Sequence, residues 1–328
     1  MDGTEKTPEG FIHGIVLDNK GGMKSLSWEE SCQVWARNED IWLHCYYTDE
    51  EIHQWLSDNT ELNEIVLDSL FSEDSRPHIL SRNNNLLAVF RGINLNPNAE
   101  PEDMVSLRVW TDGKRMVSTR KRILLSTQDI LKHLNEGHGP KDIPDLLVEW
   151  IDRIVRKMSD TVDNLEDELL VQEEALEGDD LREIRSSLLK IRKQSIGMRR
   201  YLAPQREAMN KLINEPLDWL NDMHRLNLRS ISDRQIRHIE DIDALRERSG
   251  MIQEEISNQM SEQINQRSYV LTLIAAIFLP LSFFTGLMGI NVGGMPGVES
   301  SIAFWIVTLI CIGISLGLVG LFFWRKWV

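Results

Sequence analysis

The sequence predicts an α+β domain followed by long helices and two C-terminal transmembrane helices. Three observations carry that expectation. Short β-rich runs separated by turn residues fill the first 143 positions, apolar residues then recur at helical spacing as far as Ile264, and two uncharged apolar runs close the chain.

The uncharged runs set the class. No charged residue lies between Ser268 and Val298, Glu299 stands alone, and Ser300 to Trp324 again holds none. A helix needs about 20 apolar residues to cover a hydrocarbon core, so spans are expected at about 268–289 and 301–324. No charged-then-apolar segment opens the chain at Met1, so neither span reads as a signal peptide. Arg267 precedes the first span, Arg325 and Lys326 follow the second, and the connecting loop carries only Glu299. The positive-inside bias therefore places both termini in the cytoplasm.

The order of parts expected from this pattern is a cytoplasmic α/β domain at 1–143 and a helical hairpin at 144–220. A stalk helix at 221–289 continues into the first span, a periplasmic loop at 290–300 leads to the second span at 301–324, and 325–328 form a cytoplasmic tail. The formal net charge is −15. Residues 1–267 carry −16 of it, because Glu299, Arg325 and Lys326 sum to +1 beyond them. So acidic a segment is a poor partner for nucleic acid and a reasonable one for cations. Cys32, Cys45 and Cys311 show no C-x-x-C spacing, and a cytoplasmic location argues against disulfides.

Within 11–135 the runs "FIHGIVL" and "IWLHCYY" read as strands. "RPHILSRNNNLLAVFRGINL" reads as a hairpin turning at its Asn run, and "MVSLRVWTDGKRMVSTR" as a second turning at Asp112-Gly113. Gly137, Gly139, Pro140 and Pro144 punctuate the boundary that follows. Leu147, Ile151, Ile154, Met158, Val162, Leu165 and Leu169 then form the stripe of a long amphipathic helix ending near "EGDD". A second helix carries Leu181, Ile184, Leu188, Ile191, Ser195 and Met198, and Pro204 is expected to kink or interrupt it. After the break "INEPLDWL", a third helix is expected from about Asp222 into the first span, roughly 100 Å long at 1.5 Å per residue. So long a helix needs neighbours, which points to a bundle of identical chains.

Charge is partitioned between the first two helices. Ten acidic and no basic residues lie between Lys157 and Arg182, whereas Arg182 to Arg206 holds eight basic residues and one acid, Glu183. Antiparallel arms bring these signs together. The acidic run reads as a solvated, partly paired face, with a cation-attracting surface as the alternative.

Down the first span, every third or fourth residue is polar or small with one exception: Asn265, Ser268, Thr272, Ala275, Leu279, Ser282, Gly286 and Gly289. Polar groups at membrane depth are costly unless they face protein or water, so the stripe points to a water-filled axis shared by several subunits. Leu279, its one bulky member, suits a hydrophobic constriction. Dry packing through small residues is the alternative. The second span holds Gly313, Gly317 and Gly320 on one face, a pattern for close helix packing.

With these features in place, the chain resembles the CorA metal-ion transporters. The resemblance rests on Gly289-Ile290-Asn291 at the outer end of the first span, Met295-Pro296 after it, the acidic domain, the long helix and the basic tail. Magnesium-transporting members usually carry Tyr-Gly-Met-Asn; here Met288 replaces the Tyr and Ile290 the Met. That aliphatic middle residue, the Gly293-Gly294 pair, and the segments "DSRPHILSR", "VSTRKR" and "MRRYLAPQRE" are similar to the ZntB branch. The resemblance implies a funnel-shaped homopentamer in a bacterial inner membrane whose central pore is lined by the stripe. It further implies that five copies of Asn291, with Gly289, Ile290 and loop Glu299 nearby, receive a hydrated divalent cation through neutral oxygens. Zinc is the implied cargo and protons the implied coupling ion, with no resident cofactor. The residues alone supply no zinc motif: the eight His show no H-x-x-x-H spacing, and His44 and Cys45 point to opposite faces of a strand. The stripe also holds no Asp, Glu or His to relay a proton.

Nothing in the pattern marks an enzyme, since no phosphate-binding Gly loop or nucleophile elbow is present. A passive magnesium or broad divalent channel remains the rival within transport. A membrane-anchored sensor or scaffold is the rival outside it, and the polar stripe counts against that one.

Overall fold

The two hairpins form where local chemistry demands them. In the computed structural model, which describes residues 7–60, 62–73, 76–177, 181–290, 297 and 300–324, β4 (His78–Arg82) pairs antiparallel with β5 (Asn85–Gly92), Arg82 opposite Asn85. The turn is therefore Asn83-Asn84, both at positive φ, 51° and 63°. Two-residue hairpin turns of this kind need positive φ at both positions, and Asn tolerates it. β6 (Val105–Thr111) turns into β7 (Arg115–Arg120) through Asp112-Gly113, with Gly113 at φ 91° and the Asp112 carboxylate accepting from the backbone N–H of Lys114 and Arg115.

These strands join β1 (Phe11–Leu17), β2 (Met23–Leu26) and β3 (Ile41–Tyr46) in one seven-stranded sheet, ordered β2-β1-β3-β7-β6-β5-β4. All pairs are antiparallel except β3 with β7, which is parallel from Ile41 opposite Arg115 to Tyr46 opposite Arg120. Both faces of the sheet are covered. That is why β3, β5 and β6 read as continuous apolar runs rather than alternating ones. Leu43 and Cys45 join the core of Trp28, Trp35, Ile52, Leu56, Leu67 and Leu70, supplied by α1 (Trp28–Ala36), α2 (Glu50–Asn59) and α3 (Glu64–Phe71). On the other face the Trp42 ring meets Trp150 edge-on, with centroids 5.1 Å apart. Each of α1, α2 and α3 starts on a side-chain cap, Ser27, Asp49 and Asn63, which satisfies backbone donors of the first turn.

α4 (Leu125–Asn135) leads to α5 (Ile143–Glu174), which Asp142 caps and Pro144 opens. A short 3₁₀ turn, Ala175–Glu177, follows, then α6 (Leu181–Asn214). α6 continues through Pro204, so of the kink or interruption expected there the interruption does not occur. Buried Tyr201, Leu202, Gln205 and Ala208 hold the turns on either side of it, and the Gln235 amide donates to the Leu202 carbonyl at 2.8 Å. Tertiary burial therefore outweighs the missing N–H. The expected pairing of acidic α5 with basic α6 also differs. Among the described residues, Glu166 and Glu173 of α5 pair with Arg248 and Asp152 pairs with Arg234, both arginines on α7 (Asp222–Met288). α5 keeps α6 beside it through its apolar stripe instead.

The segment between α6 and α7 is anchored on the sheet. Leu217 and Leu220 are buried, the Trp219 indole donates to the Asn84 carbonyl at 2.8 Å, and a Cβ on Gly113 would lie 2.4 Å from the Trp219 ring. By its internal contacts the chain forms two units, Met1–Gln253 and Glu254–Val328. The second holds the remainder of α7, which runs through Pro280 to Met288, and α8 (Ala303–Trp324). Both helices are long and apolar enough to cross a membrane.

Candidate ion path along the membrane helices

Asn265, Ser268, Thr272, Ala275, Leu279, Ser282 and Gly286 all lie on α7 and are exposed in the single chain, as are Gly289 and Ile290 just beyond it. Half-buried residues of the same stretch are Leu273, Ala276, Ile277, Leu281 and Phe284. At 3.6 residues per turn the centres of these two sets are about 150° apart. The polar stripe is thus a face distinct from the one that is covered. Leu279, 75% exposed, projects from it midway. The Thr272 hydroxyl donates to the Ser268 carbonyl at 2.8 Å, which leaves an oxygen lone pair for an ion's water shell without an unpaired donor in an apolar medium.

α7 closes where the Gly289 N–H reaches the Thr285 and Gly286 carbonyls, at 3.0 and 3.1 Å. Asn291 and Glu299, with Gly293, Gly294, Met295, Pro296, Arg325 and Lys326, lie outside the described residues. Ser282 sits at the stripe's margin. With Phe278, Leu281 and Thr285 it lines a groove whose other wall is Thr308, Cys311 and Ser315 of α8. Gly313, Gly317 and Gly320 are exposed, and a Cβ at any of them would meet nothing within 4 Å. Their flat face is open in the single chain.

The His44 Nδ1 lies 2.8 Å from the Ser118 hydroxyl, which also accepts from Trp42. Burial, followed by Arg120 and His13, pushes its pKa well down and keeps it neutral. Burial, with Asp49 next, pushes the Cys45 thiol far up, so it offers no thiolate. One cluster had no sequence signal: Asp142, Asp145 and His224 converge across 79 residues, because α5 and α7 start side by side. Its hydrogen bonds speak for a mutual helix cap. Asn221 N–H donates to His224 Nδ1 at 3.3 Å, so Nε2 carries the proton and donates to Asp145 at 2.9 Å. A metal on Nε2 needs the opposite tautomer, and two helix N-termini disfavour a cation.

A profile described as CorA-like Mg2+ transporter protein matches residues 38–326. The chain belongs to the CorA family. As a CorA-family member it is an ion transporter and not an enzyme. It is similar to the zinc transport protein ZntB of Yersinia enterocolitica, 35% identical over 321 residues, covering 97% of this chain and 96% of that protein. It is equally similar to the divalent cation transporter CmaX of Pseudomonas aeruginosa, 36% identical over 315 residues and 93% of each chain. The solved structure of full-length CmaX superposes with a TM-score of 0.84 at 34% identity, covering 98% of this chain and 99% of that one. The α+β domain, long helices and C-terminal apolar helix of this CorA-family chain are therefore those of a full-length relative.

Proposed function

We propose that this chain carries zinc across a bacterial inner membrane, coupled to protons, through the centre of a homopentamer. The observation that carries the reading is the stripe from Asn265 to Gly286 standing exposed on the side of α7 away from its covered face. Polar groups at membrane depth require water or protein over them, and five such helices around an axis provide both. In this reading α8 lies outside α7, both termini are cytoplasmic, and a ring of Asn291 at the outer end of the pore captures the hydrated ion with neutral oxygens. Such ligands release what a His or Cys cage retains. Zinc as cargo rests on the likeness to ZntB proteins over nearly the whole chain.

A passive divalent channel is the second reading. It is favoured by the matched profile's description and by a stripe with no titratable side chain. Purified protein in liposomes loaded with a zinc-sensitive dye separates the two. Zinc influx that accelerates when the outside is made acidic supports coupled uptake, whereas magnesium and zinc entering at rates independent of the gradient supports the channel. Asn291→Ala is expected to lower flux at least about 100-fold, the ratio for about 2.7 kcal/mol, with the assembled mass unchanged. Undiminished flux removes Asn291 from the path.

A further inference from the structure

Among the described residues, α5 and α6 each keep an outer row of exposed side chains, touched on α6 by the segment of Glu100 and Glu102 beside Lys193 and Gly197. On α5, Asp160, Asp163, Asp167, Val171 and Glu174 recur at steps of three and four and are exposed, Val171 at 59%. On α6, Arg185, Leu189, Lys193, Ile196 and Arg200 recur in the same way, with Leu189 and Ile196 both about half exposed, at 52% and 51%. Each set lies on the side of its helix opposite the buried stripe, Val155, Met158, Val162 and Leu169 on α5 and Ile184, Leu188, Ile191 and Met198 on α6. Three-four spacing with apolar residues inside a charged row is the pattern of a helix seam that expects a partner helix.

The two rows have opposite sign, and within the chain only part of each is engaged: Lys193 pairs with Glu102, Arg200 lies over the Tyr201 ring, and Asp163 acts on His238 of α7. Of the α5 acids, Asp152, Glu166 and Glu173 reach arginines of α7, Asp145 reaches His224, and Glu149 and Asp152 pair with Arg153 and Arg156 on α5 itself. Among the described residues, Asp160, Asp163, Asp167 and Glu174 form no ion pair, and neither do Arg185 and Lys190. Lys193 reaches Glu102 at 3.3 Å while its side chain stays 75% exposed. A large apolar side chain left in water beside like charges has a clear remedy in a surface of the other sign.

We propose that the acidic outer face of α5 docks on the basic outer face of α6 in a second copy of this chain. The contact joins two different patches, so it repeats head to tail and closes into a ring when the rotation allows. Because α5 ends at Glu174 and α6 begins at Leu181, a rotation axis along the arms keeps heights matched and sets Asp163 opposite Lys193 and Asp167 opposite Leu189. This assignment of faces rests on the multi-copy reading above and names which helices meet.

The test is disulfide trapping in the full chain, with Cys32, Cys45 and Cys311 replaced by Ala. Chains bearing Asp163→Cys alone and Lys193→Cys alone are co-expressed, oxidised in the membrane and separated by mass under denaturing conditions, while native mass in detergent reports assembly. The expected result is a covalent dimer of one chain of each kind. Its yield should fall about tenfold, the ratio for about 1.4 kcal/mol, when Asp160 and Asp167 are changed to Lys. It should recover when Arg185→Glu and Arg200→Glu are added on the partner. An oligomer by native mass with no mixed dimer overturns the α5–α6 contact and leaves the assembly standing. A monomer by native mass overturns both.

Discussion

His44 is held in a state that acid must disturb. Its ring is buried between Trp42 and Trp150, bonded at Nδ1 to Ser118, with Nε2 left unpaired. Its folded pKa lies well below the ordinary 6.5, chiefly through burial and then through Arg120 and His13. Between the folded value and 6.5 the unfolded chain therefore binds more protons. Stability from this group is complete above about pH 6.5 and is lost as pH falls below it. Thermal unfolding followed by near-UV dichroism should show Tm falling over that range, with a shallower slope in His44→Gln. An unchanged slope in the variant would mean that other groups carry the acid sensitivity. At the same scale, Leu279→Ser exchanges the single bulky member of the stripe for a small polar one. If Leu279 constricts a pore by excluding water, the variant should leak zinc into liposomes several-fold faster than the parent, and equal rates would place the constriction elsewhere.

Between α6 and α7, the linker ties the start of α7 to both hairpin turns at once. Asp218 N–H and the Trp219 indole both bond Asn84, and Trp219 covers Gly113. Gly113→Ala asks an L-residue to hold φ 91° and drives its Cβ into Trp219. A loss of about 2 kcal/mol is expected, visible as a lower denaturation midpoint, and wild-type stability in the variant would show that Trp219 moves aside freely. The turns themselves were readable in the sequence, because Asn83, Asn84 and Gly113 answer a demand of their own φ angles. The starts of α5 and α7 were readable from apolar spacing, from Pro144 and from the break before Asp222, whereas the Asp142 cap was not singled out. What they touch was not readable. Trp219 finds Asn84 across 135 residues, His224 finds Asp145 across 79, and Pro204 is overruled by side chains buried around it. The opposite signs on α5 and α6 were legible too, but spacing along one helix says nothing of which neighbour a charge will choose. Of the ion path, the stripe was visible as a period, while the side of α7 that stays open needed coordinates.

Across the whole molecule, charge is sorted rather than mixed. On α5, Asp152, Glu166 and Glu173 pair with arginines of α7 while Asp160, Asp167 and Glu174 stand exposed without an ion pair among the described residues, and any contact the exposed row makes is the one that salt should weaken. Raising ionic strength from about 0.1 to 1 M shortens the screening length from about 10 to 3 Å. Native mass spectra of the Asp163→Lys, Asp167→Lys chain should therefore resemble those of the parent at high salt, and assembly indifferent to both changes would place its cohesion in the membrane helices alone. β3 finds its inner neighbour only in β7, its parallel partner some seventy residues later in sequence. While the ribosome is still delivering α2, α3 and β4 to β6, the apolar edge of Ile41, Trp42 and Leu43 has β1 on one side and nothing on the other. Long-range parallel pairing is slow to close and unpaired edges are sticky. The edge of β3 is thus open to wrong pairing until the residues of β7, up to Arg120, have been made.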